Sequence, residues 1–358
     1  MQTIKATRQF SNAMMDKFRQ MGDPQADEVI NELFKTEGIT GVREMFKWLN
    51  TSESTSSFEI INDFIGKNSV PWLVSSPTTS LPLSVSSQTT RTKSSVETQT
   101  TAFPNWKLMQ QAMKFFNENQ NMIGIMLACY SLPYCYAGAD GAKVLAMSQR
   151  IQTDTLKRLE ETGEFLQIVT KEENWKNGKA VLKILKIRLM HAAIRFFTEY
   201  HDTWNLAWGK PVNQEDMAGT NGAFSYIVIR GMRKSGDTPN ESDAEAYLHL
   251  WNVISVIMGV DKELIPNNLR EAFTMDKSIA KRQFRPSEEG KALTKALLNT
   301  IEGFIESPIL KPFPAAQMRY LMGDSVADIL GIPKVNFEKK LMAFIPTSVI
   351  FKQAPNVI

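Results

Sequence analysis

GKAVLKILKIRLMHAAIRFFTEYHDTW, residues 178–204, is the stretch whose reading decides the fold. Wound at about 100° per residue, it is apolar nearly all round. Leu182, Leu185, Leu189, Ala193, Phe196 and Phe197 cover most of its surface. Such a helix is buried. Yet Ile184, Arg188, His191, Arg195, Thr198 and Asp202 fall on one narrow stripe. That stripe turns polar groups inward or into a cavity, where lone charges are costly and must be paired or ligated. His191 is one of only three histidines in 358 residues, and an arginine stands close on either side of it.

Outward from this helix the same period continues. In MGDPQADEVINELFK, Asp23-Pro24 is a helix start, followed by Ala26, Val29, Ile30, Leu33 and Phe34 at helical spacing. GITGVREMFKWL is a further short helix after a Gly break. WKLMQQAMKFFNENQNMIGIML and GAKVLAMSQRIQTDTLKRLEETGEFLQIV each read as one long helix, and Met217 to Arg233 as another. SDAEAYLHLWNVISVIM opens with Ser242 and has Glu245 three residues on, the pattern of a capping box. Ser287 stands before the acidic start of a late helix, SEEGKALTKALLNTIEGFI. Alternating strand patterns are scarce, and no repeat has a fixed period. The expected fold is all-α, a large helical domain with a single core and globin-like packing.

Ser75 to Thr101 departs from this, since 16 of its 27 residues are Ser or Thr. It reads as a loop or linker. The expected organisation is an N-terminal helical segment, 1–68, packing on the core; a Ser/Thr-rich connection, 69–105; and the main body, 106–358. Asn119 to Ala139 carries no charge, but Pro133 interrupts it and polar residues dot it. A buried helix ending near Pro133 fits better than a membrane span of about 20 apolar residues. Peripheral contact with a lipid surface stays open.

Composition is that of an ordinary globular chain, with 43% hydrophobic and 22% charged residues. A net charge of +3 and the lack of arginine-rich runs argue against a nucleic-acid partner. Two cysteines, Cys129 and Cys135, both in the apolar segment, are too few for a disulfide framework. Buried reduced thiols and an N-terminus without an apolar export region lead to a cytoplasmic expectation.

For the stripe, two readings stand side by side. One is structural: Arg195 pairs with Glu199 or Asp202, and His191 bonds a carbonyl. The other is a haem pocket. Neutral imidazole is a good iron ligand, guanidinium groups suit propionate carboxylates, and apolar walls house a macrocycle. His201 does not converge with His191, and His249 in EAYLHLW reads as a core histidine. No HExxH, ExxH di-iron pair, CxxC, GxSxG, GxGxxG or GxxxxGK[ST] is present. Asn213 in VNQEDMAGT reads as a helix cap with Asp216 three residues on. Glu215 or Asp216 is a further candidate, as a partner for the free ring nitrogen of His191.

The motif Arg188-x-x-His191-x-x-x-Arg195 resembles the core motif of the rubber oxygenase and mycophenolic-acid-pathway oxygenase superfamily, the latex-clearing-protein-like catalytic domain. The resemblance extends in order through MGDPQADEVI, SLPYCYAGADGAKVL, KRLEETGEF, PVNQEDMAGTNGAFS, SDAEAYLHLWNVISVIMGV and MRYLMGDSVADILGIP, covering nearly the whole chain. It implies an all-α fold enclosing haem b, with His191 as the axial ligand of the iron and Arg188 and Arg195 holding the haem or its pocket. KRLEETGEF would supply the opposite side, with Arg158 and Thr162 at matching positions. In rubber-cleaving members a lysine precedes that threonine and can reach the iron. Here the position is Glu161, which puts rubber as the substrate in doubt. The implied function is an oxygenase, in all expectation a dioxygenase, using O2 on a carbon–carbon double bond of an apolar isoprenoid or lipid-like molecule. Rival readings are a haem carrier or sensor without turnover, and a helical protein that has lost its haem.

Overall fold

Residues 8–73, 104–147, 154–200 and 204–335 are described by the computed structural model, and no strand occurs among them. The Ser/Thr-rich segment 75–101, His201 and Asp202 lie outside the described residues. The fold is all-α.

The chain begins with α1 (Asn12–Arg19), α2 (Pro24–Leu49) and α3 (Glu59–Leu73). Next come α4 (Trp106–Glu118), α5 (Gln120–Met126), α6 (Leu132–Tyr136), α7 (Ala139–Met147), α8 (Thr155–Val169) and α9 (Glu172–Lys176). The histidine helix is α10 (Lys179–Tyr200). It is followed by α11 (Gln214–Phe224), α12 (Tyr226–Lys234), α13 (Glu241–Ile257), α14 (Leu269–Gln283), α15 (Glu288–Gly303), α16 (Phe313–Met322) and α17 (Asp324–Ile329).

α2 starts as its sequence dictates. The Asp23 side chain accepts from the Ala26 amide, and Pro24 occupies the first turn, where no amide is needed. The expected Gly break is a kink at Gly38, whose φ of 64° an L side chain rarely adopts. α2 packs along α10, and α3, α8 and α13 close around the same helix. Ile184, Leu185 and Leu189 of α10 are fully buried in the main apolar cluster, with Ile30, Leu33 and Val42 of α2 and Leu250 and Val253 of α13. The N-terminal residues are therefore part of the wall around the histidine helix.

Several expected helices are shorter or longer than the periodicity implied. The first long pattern breaks at Asn119 (φ −123°, ψ 19°). The apolar segment does not end near Pro133. A wider π turn, Leu127–Ser131, precedes that proline, and the helix runs on to Tyr136. Proline removes an amide and crowds the carbonyl one turn back, and a π turn relieves both. The stretch read as one helix from Gly141 to Val169 is not continuous, since α8 starts afresh behind the Asp154 cap. Met217 to Arg233 is also two helices, hinged at Ser225 (φ −108°, ψ −81°). Hydroxyls satisfy carbonyls near that hinge: Ser131 donates to Ala223 O and Ser225 to Asn221 O, each at 2.7 Å. Ser287 caps α15 as expected. Ser242 does not cap α13: Asn240 does, accepting from the Asp243 amide. Glu245 instead accepts from Leu269 N at the start of α14.

Candidate functional site

His191 sits midway along α10, largely enclosed, and its Nδ1 is buried with no hydrogen-bond partner among the described residues. Burial first, then the charges of Arg195 and Arg158, push its pKa down to about 3, against a small upward pull from Asp23. The imidazole is therefore neutral throughout the physiological range.

The two arginines of the stripe are held by α2. Arg188 Nε bonds Asp23 Oδ2, and its Nη2 bonds Asp23 Oδ1 at 2.9 Å and Gln25 Oε1 at 3.0 Å. Its Nη1 reaches Asn68 Oδ1 at 3.1 Å and Ile257 O at 3.5 Å. Arg195 Nε bonds Asp27 Oδ1 at 2.6 Å, and its Nη1 donates to Val212 O at 3.0 Å. The expected pairing of Arg195 with Glu199 is therefore corrected. Glu199 points outward to Lys210, 3.8 Å away, because a buried guanidinium takes the carboxylate that is buried with it.

Close packing enforces this clamp. A Cβ on Gly259, where φ is 86°, would lie 2.6 Å from Arg188 Nε and against Asp23. A Cβ on Gly22 would lie 2.9 Å from Arg195 Cδ. Val212 has φ 46°, a strained value for a β-branched residue, and its carbonyl is the one that Arg195 bonds.

On α8, Arg158 and Glu161 form an ion pair at 3.2 Å, with side chains 41% and 36% exposed. Glu161 is thus a half-exposed, paired carboxylate. The Thr162 hydroxyl donates back to Arg158 O at 2.9 Å. Arg158 is nonetheless near enough to act on both His191 and Tyr136.

Glu215 and Asp216 are not partners of His191, contrary to the candidate role weighed for them. Glu215 is fully buried between Arg19 (3.3 Å) and Arg282 (2.8 Å) and accepts from Gln283. Asp216 bonds Arg19 at 2.8 Å and Asn213 at 2.8 Å. These arginines out-compete a neutral imidazole for a carboxylate. Asn213 caps α11 as expected. His249 accepts from Asn105 N at 3.0 Å, as a core histidine. Cys129 and Cys135 are free thiols, and burial raises both to about 12. No group of His, Cys, Asp and Glu able to hold a bare metal ion occurs among the described residues.

Sequence reasoning missed the acids that answer the stripe. Asp23 and Asp27 were visible as a pair one turn apart, but their partners are 165 and 168 residues away. It also missed Lys186, buried on α10, which donates to Thr51 O at 2.9 Å and Trp48 O at 3.2 Å. Burial, with Lys183 nearby, lowers its pKa to about 8.

The haem that the resemblance implies can be tested against these groups. A neutral imidazole whose Nδ1 has no described partner fits a ligand of haem iron. Arg195 Nη2, also buried without a described partner, fits a donor to a carboxylate. Arg188 does not fit that second role, because its donors are engaged within the protein.

Comparison with known proteins agrees with the fold. The solved structure of latex clearing protein LCP in the closed state is similar with a TM-score of 0.70 over 94% of this chain and 84% of that one. At 20% identity the likeness is one of fold. The rubber oxygenase of Streptomyces sp. (strain K30) is 31% identical over 170 residues, 47% of this chain. The aligned part is 42% of that relative's length, less than half of it. The family model described as ER-bound oxygenase mpaB/B'/rubber oxygenase, catalytic domain, matches residues 122–347, well over half of the chain, and the chain belongs to that family.

Proposed function

We propose that this protein is a haem b-dependent oxygenase, a dioxygenase in the first instance, that uses O2 on a carbon–carbon double bond of an apolar isoprenoid or lipid-like substrate. The observation that carries the reading is His191: neutral, enclosed, its Nδ1 without a described hydrogen-bond partner, and set in the Arg-x-x-His-x-x-x-Arg motif of its family. When bound, haem supplies the redox chemistry by which O2 reacts with an alkene. His191 would hold the iron. Arg195 offers a donor to an acidic group, and Arg188 keeps α10 in place. Arg158, Glu161 and Thr162 stand on the facing helix α8, where the hydroxyl oxygen of Thr162 remains able to accept. The apolar side chains lining α10 exclude water and suit an apolar substrate. No helix among the described residues is long and apolar enough to cross a membrane.

Purified protein titrated with haemin should develop a Soret band that saturates at one equivalent, and His191→Ala should abolish it. Ferrous protein with O2 and a panel of unsaturated lipids should consume O2 and give carbonyl products. A protein that takes up no haemin would overturn the cofactor. One that binds it but leaves every alkene untouched would be a carrier or sensor. Glu161 favours that second reading, since a carboxylate paired with Arg158 stands where the rubber-cleaving members carry lysine.

A further inference from the structure

We propose that the two arginines flanking His191 divide their tasks. Arg188 and Asp23 form a positioning pair that fixes the turn of α10 carrying the histidine. Arg195 keeps one donor, Nη2, for a carboxylate on the bound ligand. The proposal rests on the haem reading and names the one arginine that would meet the cofactor's acidic groups.

The donor inventory carries it. A guanidinium has five N–H donors. Arg188 makes five bonds, to both oxygens of Asp23, to Gln25, to Asn68 and to Ile257 O. It has nothing left to offer a ligand. Arg195 is 1% exposed and makes two bonds, one from Nε and one from Nη1, while Nη2 is buried with no partner among the described residues. A buried donor left unmet is costly, and native structures rarely keep one without a reason. Arg195 lies one helical turn from His191 on the same face, so the Nδ1 of the one and the Nη2 of the other are two unmet groups along one line.

The carboxylates beside the two arginines are already taken. At the Arg188 end, one carboxylate meets one guanidinium. At the other end Asp27 is shared between Arg195 and Lys210, with Lys210 Nζ 3.6 Å from its second oxygen. Lys210 in turn meets Glu199 at 3.8 Å, so both carboxylates at this end are engaged and neither answers Nη2. The strained backbone at Val212 holds Nη1 and leaves the other nitrogen at liberty.

Haemin and its dimethyl ester, which lacks carboxylates, separate the two tasks. Wild-type protein should bind haemin roughly tenfold or more tightly than the ester, the value of a charge-assisted hydrogen bond. Arg195→Gln should erase that preference, and Arg195→Lys should restore part of it. Arg188→Gln and Asp23→Asn should keep the preference, yet shift the visible spectrum of the His191-ligated haem, with Asp23→Glu moving it back. Loss of the preference in Arg188→Gln, or its survival in Arg195→Gln, would overturn the division. If wild-type protein takes up neither porphyrin, the haem reading fails on its own. The division is then read from the side-chain nitrogen resonances of the porphyrin-free protein titrated with acetate. The Arg195 Nη2 signal should move while those of Arg188 stay, and a silent Arg195 would overturn the proposal.

Discussion

Arg188–Asp23 and Arg158–Glu161 are both arginine–carboxylate pairs on helices near His191, and they behave in opposite ways. The first joins residues 165 apart and is buried, at 8% and 3% side-chain exposure. The second joins neighbours on one helical turn and is more than a third exposed. Burial decides what each can do. An exposed pair is screened by water and is worth about 0–1 kcal/mol. A buried pair has given up its hydration, so loss of either member strands a charge. The inner pair can therefore locate a helix, while the outer one can be rearranged by whatever comes to bind there.

The strongest way to break this contrast is Asp23→Asn. It should cost about 3–5 kcal/mol in urea unfolding of the haem-free protein. An equally large cost for Glu161→Gln would end the comparison. A comparable effect lies in the histidine between the two pairs. His191 has a folded pKa of about 3 against an ordinary value of 6.5, so between those values the unfolded chain binds the proton and the folded one does not. Stability from this source is complete above pH 6.5 and is lost as pH falls toward 3. The advantage of wild type over His191→Phe should therefore shrink by about 3–5 kcal/mol between pH 7 and pH 3. A constant difference would mean that the imidazole charges in place.

A further acid, little exposed, sharpens the point. Asp276 accepts from Tyr134 at 3.1 Å, but its cation, Arg230, stands off at 3.6 Å. Burial raises its pKa to about 6, against partial compensation by Arg230 and Tyr134. Here the sign reverses. The folded state holds the proton more tightly, so stability falls as pH climbs from 3.8 through 6. Asp276→Asn should gain about 1–3 kcal/mol at pH 7, and the gain should vanish below pH 4. The smallest effect is expected at Glu161→Gln, within about 1 kcal/mol, with the spectrum of added haemin unchanged.

The sequence-level reading is good where physics is local. The helix over 178–204 is found as Lys179–Tyr200, and the caps at Asp23, Asn213 and Ser287 stand where side-chain chemistry puts them. Ser242 shows the limit of the same rule, since Asn240, two residues earlier, is an equally good acceptor and takes the role. The partners of the stripe were not legible. From Arg195 the nearest acid in sequence is Glu199, one turn on, and nothing short of packing reveals that Asp27 arrives from α2. Pro133 announces a break but not that a π turn would carry the helix through it, and the hinge at Ser225 leaves no local pattern.

The family model matches from residue 122, yet the acids that hold the histidine helix stand at positions 23 and 27. The recognisable segment and the folding unit are therefore different lengths of chain. A protein trimmed to residues 122–347 would emerge with Arg188 and Arg195 stripped of their carboxylates and with the α2-facing side of α10 open to water. During synthesis the converse holds. α2 leaves the ribosome long before its partner exists, and Asp23 must wait 165 residues for the arginine it is built to grip.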